Sequence, residues 1–311
     1  MEFKKITLII PFFNEKKKII NSTKHILKQV IPPDEIIFVN NNSNDSSEMK
    51  LRLFLKNFNN IKYKIKIINL KKKSNPSNAK NIGIKNSIYN NVAFFDIGLS
   101  VNRYFIHNLK NLISPKTMHY IQGNFYFKSD NYLDRSYLMQ TYGINKFGNC
   151  IPSSCFKKKF FEKFGYFENY RSGYDRVFLK KIISEKISFK KNLKSPINYL
   201  SDISGSSLKK IFNKIFYYSY STVGLKGYLI DKIYIFIFLI FLIFLTFGFT
   251  AEIIFLYLLI RCFVMPIKKN FNLSLKKLKI TDLIMTPLIG VFIDVARISG
   301  FIFGYLKKFI R

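Results

Sequence analysis

Polar residues repeatedly stand where short apolar runs stop, and these junctions hold the side chains able to do chemistry. The run Thr7-Leu8-Ile9-Ile10 ends in Pro11, and Asn14 and Glu15 follow before a Lys-rich stretch. Residues 35–39 give way to Asn40-Asn41-Asn42-Ser43-Asn44-Asp45, and residues 92–95 to Asp96-Ile97-Gly98. Lys80 lies inside Ser74-Asn75-Pro76-Ser77-Asn78-Ala79-Lys80-Asn81-Ile82-Gly83, and Asp175 inside Ser172-Gly173-Tyr174-Asp175-Arg176. A cation near a helix start suits an anion such as a diphosphate. Blander roles stand beside these. The Asn run reads equally as a turn before a capped helix, and Asp175 as a helix N-cap.

The elements that must position these groups follow a regular order. Strand-like runs at 6–11, 35–39, 63–70 and 92–96 alternate with helix-compatible segments at 16–30, 46–58 and 78–89. Asp45-Ser46-Ser47-Glu48 fits an N-cap with a Glu three positions on. Strand and helix alternating in this way argue for parallel βαβ units, an α/β fold whose ligands sit beyond the carboxyl ends of the strands. No internal repeat is visible. Residues 6–11 are too short for a secretory signal, so none is expected.

The formal charge of +33 invites a nucleic-acid reading. Only eight of the 51 basic residues are Arg, the side chain that reads bases in bidentate fashion, and no nucleic-acid motif appears. No nucleic-acid partner is expected. Basic charge beside long apolar runs reads instead as attraction to anionic lipid. Cys150, Cys155 and Cys262 form neither a framework nor a zinc pattern, and the three His are scattered.

Across roughly residues 4–200, four segments in order resemble glycosyltransferase family 2, whose catalytic domain has the GT-A fold, a Rossmann-like and mostly parallel sheet. Pro11 to Glu15 resembles the family's opening strand and loop, so Pro11, Asn14 and Glu15 are expected at the nucleotide-sugar donor. Asn41 falls where the family has the Asp that accepts the nucleobase imide N–H. Residues 79–83 resemble the family's Ala-Arg-Asn-x-Gly, with Lys80 at the Arg. Asp96 matches the first residue of the Asp-x-Asp motif and Gly98 replaces its last, the metal ligand. The resemblance therefore implies donor binding by Lys80 and Asp96. A divalent metal (Mg²⁺ or Mn²⁺) would be held weakly through Asp96, or replaced by Lys80 or Arg176 at the diphosphate. Residues 160–168 resemble the Gly-Gly-Phe-Asp-Glu stretch, after which Asp175 matches the catalytic base and Tyr174 replaces a Glu.

From Ser207 the pattern changes. Leu208, Ile211, Phe212, Ile215 and Phe216 recur at helical spacing among Lys residues, as in a helix lying at a membrane surface or packed on the soluble domain. Residues 233–251 and 253–267 read as a transmembrane hairpin, and 280–306 as a third membrane-associated helix, in-plane or spanning. The expected division is a catalytic domain over 1–204, an interfacial segment over 205–232, the hairpin at 233–267 and the last helix. In that last segment Gly300-x-x-x-Gly304 permits close helix packing, and Asp294 can pair with Arg297.

The expected function is inverting sugar transfer from a nucleotide-sugar donor to a lipid-linked or glycan acceptor, at the cytoplasmic face of the inner membrane. The alternative is a degenerate GT-A domain that binds nucleotide or a partner protein without turnover. Absence of the Gln-x-x-Arg-Trp motif of processive synthases, in a chain with no Trp, favours single-sugar transfer.

Overall fold

The computed structural model describes residues 4–58, 63–114, 120–199, 207–223, 246, 248, 250–271 and 279–310. The chain divides into two compact units, one of residues 1–126 and 147–200, the other of 127–146 and 201–311. The expected boundary near 204 thus has an exception, because residues 127–146 group with the C-terminal helices.

The first unit opens with β1 (Ile6–Phe12), α1 (Ile19–Leu27), β2 (Glu35–Asn40), α2 (Ser47–Lys56), β3 (Lys64–Asn69), α3 (Pro76–Asn86) and β4 (Asn91–Phe94). Then come β5 (Leu99–Ser100), α4 (Phe105–Leu112) and β6 (Tyr120–Phe127). Helix α5 (Tyr132–Gln140) belongs to the second unit, and β7 (Lys146–Lys157), α6 (Lys158–Phe164), α7 (Tyr174–Ser184), β8 (Phe189–Lys191) and β9 (Asn198–Tyr199) return to the first. Seven strands form one sheet in the order β3-β2-β1-β4-β7-β6-β8, while β5 and β9 pair separately. Strands β1 to β4 pair in parallel and β7 joins β4 antiparallel.

Register explains where the polar residues gather. Phe12 faces Asn40 and Asn40 faces Asn69, so three strands end on one line, and β4 ends where Phe94 faces Ile9. Pro11 is tolerated in a central strand because its missing N–H points toward β4, which has already stopped. Both faces of β1 and β2 are buried, as their continuous apolar runs require. Beneath the line lies an aromatic core in which Phe94, Phe156, Phe161, Phe167 and Phe178 pack edge-on or stacked.

The cap of α2 departs from expectation. Ser46 takes the cap position at φ 63° with no side-chain bond, while Asp45 Oδ1 accepts from the Ser47 amide at 3.0 Å. Glu48 does not turn back to the cap. It accepts from Asn69 Nδ2 at 2.7 Å, Arg52 Nε at 2.7 Å and Asn40 Nδ2 at 3.2 Å, tying β2 to β3.

In the second unit α5 is followed by α8 (Leu208–Thr222), α9 (Thr250–Leu259), a π-helical turn (Ile260–Val264), α10 (Met265–Lys269) and α11 (Ile280–Phe309). Most of the first expected span, 233–249, lies outside the described residues. Helix α8 buries Ile211, Ile215, Ser219 and Thr222, and it packs on α11. Gly300 and Gly304 form the seam: a Cβ on Gly300 would stand 2.3 Å from Phe216 O, and one on Gly304 2.9 Å from Tyr220 O. Several buried charged and polar groups of this unit are paired. Arg135 Nε donates to Asp282 Oδ1 at 2.9 Å, Arg261 Nη1 to Gln140 Oε1 at 2.7 Å, and Arg261 Nη2 to Asp294 Oδ1 at 3.1 Å. Arg297 reaches Asp294 only at 3.5 Å. Helix α11 has 30 residues, is long and apolar enough to cross a membrane, and leaves Leu283, Ile284, Leu288, Ile302 and Phe303 exposed.

Candidate active site

Asn14, Glu15, Asn41 and Asp96 stand on loops that leave the strand ends, Lys80 on α3 and Asp175 on α7. Pro11 is in β1 opposite Val39. Asn14, exposed and at φ 54°, donates through Nδ2 to Asn44 Oδ1 at 2.8 Å and accepts from the Asn44 amide at 3.0 Å. It therefore clasps the loop after β1 to the loop after β2. Glu15 continues the clasp, its amide donating to Ser47 Oγ at 2.8 Å. Burial raises the Glu15 pKa, against the pull of Lys18, and Asp45 and Asp96 add to the rise.

Asn41 is buried and bonded to one neighbour. Its Oδ1 accepts from the Ser74 amide at 2.9 Å and from Ser74 Oγ at 3.0 Å, and its Nδ2 donates to Ser74 O at 2.7 Å. Both lone pairs of the carboxamide oxygen are occupied, which leaves one N–H for any further partner. The side chain expected to read a nucleobase thus pins the loop before α3 in this structure.

Lys80 and Asp96 meet directly. Pro76 starts α3, and one turn later Lys80 points inward with its side chain 1% exposed, placing Nζ 2.6 Å from Asp96 Oδ1. Tyr174 joins them, its ring centroid 5.8 Å from the same ammonium. Burial alone would lower the Lys80 pKa, but Asp96 and the Tyr174 phenol outweigh it and raise it. Burial raises the Tyr174 pKa despite Lys80. Asp175, next to Tyr174, lies in the first turn of α7 behind the left-handed Gly173 (φ 80°), and no side-chain cap bond is made there. Burial raises the Cys150 thiol, which also feels Asp96, Asp175 and Lys80. Sequence reasoning missed Ser74, Cys150 and the Tyr174 contact, and no local pattern marks any of them.

Gly98 sits at φ +91°, and its amide donates to Ser22 Oγ at 2.8 Å. An L side chain rarely adopts that conformation. A Cβ built on Gly98 would stand 3.3 Å from Lys18 Cδ and 3.6 Å from Lys18 Nζ. Among the described residues no group of three or more His, Cys, Asp or Glu is arranged to hold a metal ion. The donor set is one carboxylate already paired with Lys80, beside a second ammonium. It does not fit a divalent cation well.

The comparisons agree with this architecture. The glycosyltransferase GlyG of Streptococcus pneumoniae serotype 4 is 26% identical over 121 residues, 39% of this chain and 39% of that relative. A mannosyltransferase from Pyrobaculum calidifontis, solved with GDP-Man and Mn²⁺, has a TM-score of 0.51 and 17% identity over 69% of this chain and 62% of its own. GalNAc-T7, solved with UDP, GalNAc and Mn²⁺, has a TM-score of 0.50 and 13% identity over 74% of this chain and 49% of its own. The chain thus spans less than two thirds of each relative. These likenesses concern the fold, which is GT-A-like, a mostly parallel mixed sheet. The model of glycosyl transferase family 2 matches residues 7–185, more than half of the chain, and the protein belongs to that family.

Proposed function

We propose that the protein transfers a sugar, with inversion, from a nucleotide-sugar donor to a lipid-linked or glycan acceptor at a membrane. The observation that carries this reading is the cluster of Lys80, Asp96 and Tyr174, with Asp175 beside it, at the carboxyl ends of parallel strands. The nucleoside would bind among the loops bearing Pro11, Asn14, Glu15 and Asn41, with Asp96 near the ribose. The acceptor oxygen attacks the anomeric carbon as the bond to the diphosphate breaks, and its proton passes to Asp175. Solved relatives carry GDP-Man or UDP, which supports a nucleoside-diphosphate sugar as donor. A membrane setting is supported by α11, whose apolar side chains remain exposed, and the catalytic unit would face the cytoplasm, where nucleotide sugars are found.

The test is a panel of UDP-, GDP-, ADP- and CDP-sugars scored by thermal stabilisation of the purified full chain. Sugar release and transfer to membrane extract are then followed for any that bind. Stabilisation by one class with turnover is expected, and no stabilisation by any member would remove the reading. A non-catalytic donor-binding domain is favoured by one observation, the engagement of Asn41 with Ser74. Binding without release or transfer would select it.

A further inference from the structure

The family resemblance implies a divalent cation at the diphosphate, and the residues present disagree with it. Asp96 is the motif's remaining carboxylate, and its Oδ1 is taken by the buried Lys80 ammonium. Lys80 is therefore already charge-paired and buried. The second carboxylate position is Gly98, turned to φ +91° and held by Ser22. Lys18 occupies the neighbouring space. It is the residue that precedes α1, its side chain is exposed, and its Nζ lies 3.6 Å from where a Cβ of residue 98 would begin. Among the described residues no salt bridge ties it to an acidic group. A cation thus stands where the family places a metal-binding anion, and it repels a divalent ion while attracting a phosphate.

We propose that Lys18 takes the place of the divalent cation and pairs with the donor's diphosphate beside Gly98. The proposal rests on the nucleotide-sugar reading above. In the transfer step the anomeric C–O bond breaks with its electron pair going to the β-phosphate oxygen. The new C–O bond forms from the acceptor oxygen, and the acceptor proton goes to Asp175. The Lys18 side chain balances the charge that develops on the departing diphosphate.

The experiment is calorimetric titration of the full chain with UDP, GDP, ADP and CDP, once in EDTA and once in Mn²⁺. Wild type, Lys18→Met and Lys18→Arg are compared, and thermal midpoints verify that the variants fold. The nucleoside diphosphate that binds should do so within about threefold in EDTA and Mn²⁺, a difference well under 1 kcal/mol. Lys18→Met should weaken it by about tenfold or more, the loss of a charge-assisted contact, and Lys18→Arg should retain most of it. Two results overturn the assignment while the transferase reading stands: binding lost in EDTA and restored by Mn²⁺, or wild-type affinity in Lys18→Met. If no nucleoside diphosphate binds in either condition, the nucleotide-sugar reading falls and the role of Lys18 falls with it.

Discussion

Lys80 Nζ lies 2.6 Å from Asp96 Oδ1, and the two ends of this pair are unequally buried, the lysine side chain 1% exposed and the aspartate 36%. The pair fixes the loop after β4 to α3 and sets the carboxylate at the open edge of the sheet. Its asymmetry makes the two residues unequal in stability as well as in position.

Removing the carboxylate leaves an ammonium inside the protein, whereas removing the ammonium leaves a carboxylate that water can reach. Asp96→Asn should cost about 3 kcal/mol, and Lys80→Met about 1 kcal/mol. Denaturant midpoints of the full chain in detergent measure both. A larger loss for Lys80→Met would mean that the pair holds the fold through the lysine's packing and not through charge.

Asp175 stands in the first turn of α7, two residues after the left-handed Gly173. Asp175→Asn should lower transfer by about 100- to 10,000-fold with nearly unchanged donor affinity, because the base acts on the acceptor. Single-turnover kinetics with donor titration separates the two. Near-wild-type turnover would remove Asp175 from the mechanism.

Asn41 carries the loop at Ser74 on three hydrogen bonds. Asn41→Leu should therefore destabilise the fold by about 1–3 kcal/mol through an unpaired Ser74 amide. Donor affinity should fall with it as the loop before α3 loosens. Weaker donor binding at unchanged stability would instead assign Asn41 to the nucleobase.

The Glu48 pKa is lowered, first by the bond from Asn69 and then by Arg52 and Asn40. A carboxylate depressed in the folded state contributes stability that is present above its ordinary value of 4.5 and is lost as pH falls through the folded value. Glu48→Gln should lower stability by about 1 kcal/mol at pH 7, and the difference should shrink as pH falls through the lowered folded value and the Glu48 carboxylate is neutralised. Denaturation at several pH values follows the gap. A constant gap would trace the effect to packing.

In the second unit Arg135 and Asp282 are both buried and joined by two-pronged contact. Asp282→Ala should destabilise the helical unit by about 3–5 kcal/mol, since an uncompensated guanidinium remains. Replacing both residues with apolar ones, Arg135→Met with Asp282→Leu, should recover most of that loss. Detergent-solubilised protein with a thermal readout tests it, and no recovery in the double variant would show that the pair specifies the helix packing itself.

The α/β class and the succession of strands along the first half are legible in the chain because buried parallel strands require continuous apolar runs. The expected strands at 6–11, 35–39, 63–70 and 92–96 differ from β1 to β4 by a few residues at their ends. Polar residues where those runs stop must fall at strand ends, so Asn14, Asn41 and Asp96 were readable as site candidates. The small residues at Gly300 and Gly304 were likewise readable as a helix seam. Partnership was not readable. Lys80 could serve an anion or a carboxylate, and only the inward turn of α3 against the loop after β4 chose Asp96. Asn41 could read a base or hold a loop, and the approach of Ser74 engaged it. The position of Lys18 beside Gly98 depends on a backbone angle of +91° and on the packing of α1, neither of which leaves a local pattern. Short-range periodicity determines elements, whereas side-chain pairing depends on how distant loops meet once register and packing are set.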